Sequence, residues 1–465
     1  MTSLVKARGD DTRNARLWLE EYKATLLLGV PLIGAQLAQM SINLTDTIMI
    51  GWLGAEPLAA SVLATQLFFL TWLAGLGFLQ AVMPLAARSE GQGDVRGVRR
   101  ASRMGLWVAI AYSTLAVALL AYSEDILLRL GQDPKVASLA NEYIQILKWS
   151  LYPSLVVMAL RSFLTSLEKA QIVLWATLLC AGINAVLDYA LIFGHWGAPE
   201  LGIVGAGFAS VGSNLCAALI LIIYIQKDEK VRSYEVFVRF WRADWRAFFD
   251  ILRLGWPISL MLLAEAGMFS AAAIMMGWIG TLHVAAHGIA AQLAGTAFMI
   301  PIGLSNAAVV RVGTSLGRQS GAGITRAGWC GISLAAFIAL FSGAIFWSYP
   351  AELIGLFLRE TNTDAAAVLR LGVPLLFIAA LFQVVDGIQV VAAGVLRGLS
   401  DTRTPMGIAF IGYWIIGIPM SYVLAFPLGW GAEGIWVGLA LGLATSALLL
   451  AIRFKRRYEL GLVRP

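Results

Sequence analysis

Four acidic side chains interrupt long apolar stretches of the sequence: Asp46, Asp188, Glu265 and Asp386. Asn184 precedes Asp188 by four residues, so on a helix the amide and the carboxylate share one face. A carboxylate buried among apolar residues favours uptake of a proton, and one with a second oxygen ligand nearby can instead coordinate a hard cation such as Na+. Because an ionisable group inside a membrane helix is costly, we predict that these five residues couple the protein to protons or cations. The alternative for each carboxylate is a structural role, in which it faces a water-filled vestibule or caps a broken helix.

The elements that position these residues must be membrane helices. The 465-residue chain is 59% hydrophobic and 13% charged, with a mean hydropathy of +0.77, whereas a soluble chain has about 25% charged residues. Apolar runs such as Leu106–Leu120 and Leu439–Ala451 are continuous rather than alternating, which favours helices over a membrane β-barrel. We therefore predict an all-α polytopic membrane protein. Its twelve transmembrane helices are expected near residues 25–50, 57–85, 103–122, 141–163, 171–193, 204–226, 251–277, 284–310, 327–348, 368–395, 405–426 and 434–453.

Basic residues fall mainly on one side of these predicted helices. Nearly all of the 34 Lys and Arg residues lie near the two termini and in alternate connections. By the positive-inside rule both termini are then cytoplasmic, and the basic, aromatic connection between the halves is a linker at the membrane surface. This distribution predicts no nucleic-acid partner. The predicted order is a cytoplasmic segment (1–24), an N-terminal six-helix lobe (25–226), the linker (227–250), a C-terminal six-helix lobe (251–453) and a cytoplasmic tail (454–465).

The two predicted lobes are copies of each other. A shift of 226 residues aligns Gly51-Trp52-x-Gly54 with Gly277-Trp278-x-Gly280, and Pro31 with Pro257. Because each copy has an even number of helices, both have the same topology, and such transporters place a substrate path between the halves. We therefore predict two pseudo-symmetric six-helix bundles.

The acidic residues do not repeat between the copies. Asp46 aligns with Ala272, and Glu265 aligns with Gln39. A purely structural group would keep similar polarity in both copies, so the asymmetry favours ion handling. Glutamines within the predicted helices are candidate substrate-binding residues: Gln39, Gln66, Gln292 and Gln389.

Other motifs point away from catalysis. His283 and His287 have the four-residue spacing of metal ligands but no third ligand, so we interpret them as the polar start of a helix at the outer surface. The glycines at 434, 438 and 442 are spaced for close helix packing. The sequence contains neither a Walker A loop nor a Ser/His/Asp constellation, and its three cysteines lack metal-site spacing. We predict no enzyme, no ATP drive and no cofactor beyond a coupling ion.

Three motifs resemble the multidrug and toxic compound extrusion (MATE) transporters of the NorM-like branch. They are Thr45-Asp46-Thr47-Ile48-Met49 followed by Gly51, Arg311-Val312-Gly313, and 386–391 (DGIQVV) followed by Gly394-x-Leu396-Arg397-Gly398. The resemblance covers nearly the whole chain and implies a V-shaped exporter that moves organic cations outward in exchange for Na+ or H+. It also implies that Glu265 and Asp386 form a cation site in the C-terminal lobe, and that Asp46, Asn184 and Asp188 form one in the N-terminal lobe.

The sequence leaves the coupling ion open, because both lobes carry acidic residues. The partners we expect are small cationic drugs or dyes and the lipid bilayer, with the protein acting as a monomer in a bacterial inner membrane. A flippase for lipid-linked precursors is the main alternative, although it would be expected to have a strongly basic cavity. A channel or receptor and a membrane-embedded enzyme are the remaining alternatives.

Overall fold

The computed structural model describes residues 2–358 and 364–463, and this part of the chain is helical without a β-strand. A π-helical segment occupies Ile411–Gly417, and two short 3₁₀ segments occupy Lys148–Ser150 and His195–Gly197. The helices are α1 (Thr2–Gly51), α2 (Ala55–Gln80), α3 (Val82–Gly91), α4 (Val95–Leu120), α5 (Ser123–Arg129), α6 (Pro134–Leu147), α7 (Leu151–Ser166), α8 (Ala170–Phe193), α9 (Ile203–Lys227), α10 (Glu229–Arg232), α11 (Trp245–Ile279), α12 (Thr281–Gly317), α13 (Gly321–Ser348), α14 (Pro350–Gly355), α15 (Ala365–Gly398), α16 (Arg403–Phe410), α17 (Ile418–Ala425) and α18 (Gly431–Lys455).

Twelve helical spans in the described residues are long and apolar enough to cross a membrane. They correspond one by one to the twelve predicted segments, so the predicted fold class is confirmed. Several spans are longer than predicted, because polar turns continue the helix beyond the apolar run. The third span, for example, begins at Val95 rather than at residue 103.

The helices form two compact units, one made of residues 34–263 and the other of residues 1–33 and 264–465. The chain passes between units inside α1 and inside α11, in each case a few residues after the internal proline, Pro31 or Pro257. A proline inside a helix removes one backbone hydrogen bond and kinks the helix. The parts of the helix before and after the proline can therefore pack in different units. The units therefore divide at other positions than the predicted lobe boundaries, which stay a prediction.

Close packing of α8 against α9 organises the core of the unit 34–263. Gly205 of α9 lies against the backbone of Leu191, where a Cβ atom would collide with the carbonyl group. Gly194, with φ of 70°, ends α8 in the left-handed conformation that glycine adopts without strain. The two helices can therefore bring polar residues of their facing surfaces close together.

In the other unit, the predicted glycine stripe lies on α18. A Cβ atom at Gly434 would lie 2.7 Å from the backbone nitrogen of Ala425, and Gly438 packs as closely against Ser421. Gly442 packs against the π-helical segment at Gly412 and Gly417. The predicted role of these glycines in close helix packing is confirmed.

Candidate ion-coupling sites

Asp46, Asn184 and Asp188 meet inside the unit 34–263. Asn184 and Asp188 lie one turn apart on α8 and have no exposed surface, while Asp46 is on the second half of α1. With its amide nitrogen turned toward the carboxylates, Asn184 donates to Asp46 Oδ1 at 2.8 Å and to Asp188 Oδ2 at 3.2 Å. We call these three residues the N-terminal cluster. Asn184 and Asp188 share one face of α8, as their four-residue spacing predicts, and this face turns both side chains toward Asp46.

The two carboxyl groups of the N-terminal cluster also lie within hydrogen-bonding reach of each other. Such a contact between two carboxyl groups requires a proton on one of them, because two carboxylates have only acceptor oxygens. Asp188 Oδ1 is buried and has no hydrogen-bond partner in the described part of the chain. Asp188 is therefore enclosed by the protein and does not face solvent at the end of α8.

Two neighbours of the N-terminal cluster were missed by the sequence analysis. The hydroxyl group of Ser210, on α9, donates to Asp46. Tyr143, on α6, is buried within electrostatic range of both carboxylates and forms a hydrogen bond with Thr65. Neither residue has a sequence signal of its own, because hydroxyl groups are common in membrane helices and only the packing of α8 against α9 selects Ser210.

A second acidic group, which we call the C-terminal cluster, lies in the other unit. Asp386 on α15 is 4% exposed and lies within electrostatic range of Glu265 on α11. Arg397 lies within range of Glu265 and partly compensates its charge. Asp386 Oδ1 is buried without a hydrogen-bond partner among the described residues.

The π-helical segment contributes Tyr413 to the C-terminal cluster. Its side chain is fully buried, and its hydroxyl oxygen accepts a hydrogen bond of 2.7 Å from Gln389 Nε2. Gln389 lies one turn after Asp386 on α15, and its own Oε1 has no partner in the described residues. π-Helical turns are often found at functional sites. No periodicity of residue types predicts the position of this π-helical turn.

The four candidate glutamines do not share one environment. Gln66 and Gln292 are exposed, Gln39 is half-buried, and Gln389 is fully buried against Tyr413. Gln39 and Gln66 belong to one unit, and Gln292 and Gln389 belong to the other. The burial of Gln389 gives it no surface for a substrate in this conformation. Substrate binding by all four glutamines stays a prediction.

His287 lies near the start of α12, and its side chain faces the interior of the unit. Its side chain is 5% exposed and packs edge-to-face against Trp436, with 5.7 Å between the ring centroids. Trp436 packs in turn against Phe382 of α15. The sequence could not show which face of α12 turns inward. Among the described residues, no group of three or more His, Cys, Asp or Glu residues is placed to hold a metal ion.

A protein-family model matches each half of the duplicated chain. The model, described as MatE, matches residues 31–190 and again residues 257–423. The chain belongs to the MatE family. The second match begins at Pro257 and the first at Pro31, which is the shift that aligns the two halves of the sequence. As a MatE-family member the chain is a multi-pass membrane transporter and not an enzyme.

Curated relatives extend the MatE match over nearly the whole chain. The chain is 49% identical to the probable multidrug resistance protein NorM of Rhizobium meliloti (strain 1021), covering 97% of this chain and 96% of that protein. It is 48% identical to the protein of the same name from Agrobacterium fabrum, covering 94% of each chain. A solved outward-facing structure of a multidrug resistance MATE family transporter shares the fold, with a TM-score of 0.86, 21% identity, and 96% and 97% of the two chains covered. The resemblance to the NorM-like MATE transporters is confirmed.

Proposed function

We propose that this MatE-family chain is a multidrug efflux transporter that exports lipophilic organic cations in exchange for Na+ or H+. The observation that carries the proposal is the N-terminal cluster, in which Asn184 bridges the carboxyl groups of Asp46 and Asp188. The names of the curated relatives support multidrug efflux. The acidity of both clusters supports cationic substrates, because negative charge in a region of low dielectric attracts cations and repels anions.

The N-terminal cluster has the chemistry of an ion-sensing site. With both carboxylates ionised, the cluster is destabilised by repulsion unless a proton or a cation lies between them. The Asn184 amide can serve either occupancy, because it presents two N–H donors in one orientation and a carbonyl oxygen in the other. The nitrogen-inward orientation hydrogen-bonds the carboxyl groups, and the oxygen-inward orientation adds a ligand for Na+. Either ion therefore changes the contacts between α1 and α8.

The C-terminal cluster is the second candidate for ion or substrate coupling. Arg397 reduces its net negative charge, so we propose that the N-terminal cluster has the greater need for an external cation. A flippase for acidic lipid-linked precursors would be expected to carry mainly basic residues at depth. The acidic character of both clusters favours the drug exporter.

We also propose a bacterial inner-membrane location with both termini in the cytoplasm, and function as a monomer. The support for the orientation is the bias of Lys and Arg toward the termini and alternate connections.

The experiment that tests the function is dye efflux from proteoliposomes. Purified protein would be reconstituted into liposomes. The liposomes would be loaded with ethidium and exposed separately to a Na+ gradient and to a proton gradient. We expect one of the two gradients to drive transport, with Asp188→Asn greatly reducing it at the same ion concentration. Asp125→Asn, which removes an exposed carboxylate on α5, is the matched control. Transport that is independent of both gradients, or is unaffected by Asp188→Asn, would contradict the proposal.

A further inference from the structure

The connection between α9 and α11 ends in an exposed segment that carries both arginines and large aromatic side chains. We call residues 239–249 the basic–aromatic segment. Arg239, Arg242 and Arg246 are exposed, and no guanidinium group of the three has a hydrogen-bond or ion-pair partner in the described part of the chain. The aromatic side chains between and beside them are 76%, 59% and 60% exposed at Trp241, Trp245 and Phe249. Unpaired cations interleaved with exposed aromatic rings are unusual on a protein surface that faces only water.

The segment is held in a defined conformation by α4. Three side chains at four-residue spacing on α4 donate to backbone carbonyl groups of the connection: Arg99 to Tyr234 (2.7 Å), Arg103 to Val238 (2.7 Å) and Trp107 to Phe240 (3.0 Å). The arginines of α4 are therefore used to hold the connection, whereas those of the basic–aromatic segment remain turned outward. A fixed conformation lowers the entropic cost of binding a ligand.

Asp244 fixes the middle of the segment, where α11 begins. Its carboxylate pairs with Arg100 at 2.5 Å and accepts a hydrogen bond from the backbone N–H of Ala247. The acidic groups of the connection are thus largely engaged, since Glu235 pairs with Arg99. Asp250 is the exposed carboxylate next to the segment. The surface that remains available has a positive charge.

We propose that the basic–aromatic segment binds the headgroups of anionic phospholipids at the membrane surface. The segment follows the membrane span that ends at Lys227 and includes the first residues of the span that begins at Trp245, so the chain holds it at the level of the headgroups. Tryptophan is enriched at this level because its ring is both apolar and polar, and arginine pairs with phosphate through two parallel hydrogen bonds. Charge complementarity selects anionic lipids over zwitterionic ones.

The experiment measures lipid binding to the full-length protein in maltoside micelles. Dioctanoyl phosphatidylglycerol or dioctanoyl phosphatidylcholine is titrated, and protection of residues 234–253 is followed by hydrogen–deuterium exchange. We expect protection by phosphatidylglycerol and little by phosphatidylcholine. Combined substitution of Arg239, Arg242 and Arg246 by Gln should raise the half-saturating phosphatidylglycerol concentration roughly 100-fold.

Two further variants separate charge from folding. Substitution of the same three arginines by Lys should keep most of the binding, which shows that the segment still folds. Substitution of three exposed arginines elsewhere (Arg96, Arg318 and Arg403) by Gln makes the same change in net charge and should leave binding unchanged. The proposal is overturned if phosphatidylglycerol and phosphatidylcholine protect equally, if the Gln variant binds like the original protein, or if glycerol 1-phosphate protects as well as the lipid.

Discussion

Replacing Asp46 or Asp188 by Asn removes one of the two charges that the N-terminal cluster offers to a coupling ion. Because Asn184 contacts Asp46 Oδ1 at 2.8 Å and Asp188 Oδ2 at 3.2 Å, at most about 6 Å separates these two oxygens. Two unit charges at ~6 Å interact by about 3 kcal/mol at an effective dielectric constant of ~20. Each single substitution should therefore weaken binding of the coupling ion by roughly 100-fold, while the double substitution should cost little more.

The assay is the ion concentration that half-saturates dye efflux in proteoliposomes, measured for the original protein, both single variants and the double variant. We expect a coupling free energy of about 3 kcal/mol between Asp46 and Asp188. The loss of ion binding in the double variant should therefore be smaller than the sum of the two single losses. Asp125→Asn serves as the control, because it removes an exposed carboxylate of the same unit. Losses that multiply in the double variant would refute a shared site.

Three other predictions test the remaining parts of the account. Asp386→Asn should abolish dye export while leaving expression and detergent size-exclusion profiles unchanged, and normal efflux would remove this residue from the mechanism. In a strain without other pumps, the protein should confer resistance to lipophilic monocations and little to anions of the same shape, and equal resistance to both would contradict an acidic transport path. Arg311→Gln should destabilise the protein by about 3 kcal/mol, because it leaves Glu21 buried without its bidentate ion-pair partner (2.8 Å for each hydrogen bond). Thermal unfolding in detergent measures this effect, and the double variant with Glu21→Gln should recover part of the lost stability.

Much of the fold is predictable from the sequence, because membrane burial leaves a strong one-dimensional signal. Each apolar run became a helix, since a spanning segment must satisfy its backbone hydrogen bonds internally. The duplication was visible because Gly-Trp-x-Gly is too specific to recur by composition alone. The division of the units inside α1 and α11 was not predicted, although Pro31 and Pro257 mark the two helices concerned. Which neighbours each half of a helix contacts depends on packing that no local pattern encodes.

The acidic residues of the candidate sites were found from the energetic cost of their burial, and the neutral residues were not. Asn184 was recognised only because it shares a face with Asp188. Ser210, Tyr143 and Tyr413 are ordinary residues of membrane helices until α9, α6 and the π-helical segment place them beside the carboxylates. The burial of His287 was not predicted either, because its position near a helix start does not show which face of the helix it occupies.

The central claim is that the N-terminal cluster binds the coupling ion, and direct ion binding tests it most simply. Purified protein in detergent would be examined for saturable binding of radioactive Na+ and, in parallel, for proton release after a pH jump. The account predicts that the original protein and Asp125→Asn bind one of these two ions at the same stoichiometry. It predicts that the Asp46→Asn/Asp188→Asn double variant loses one bound ion per chain. A double variant that binds both ions with the original stoichiometry would contradict the account.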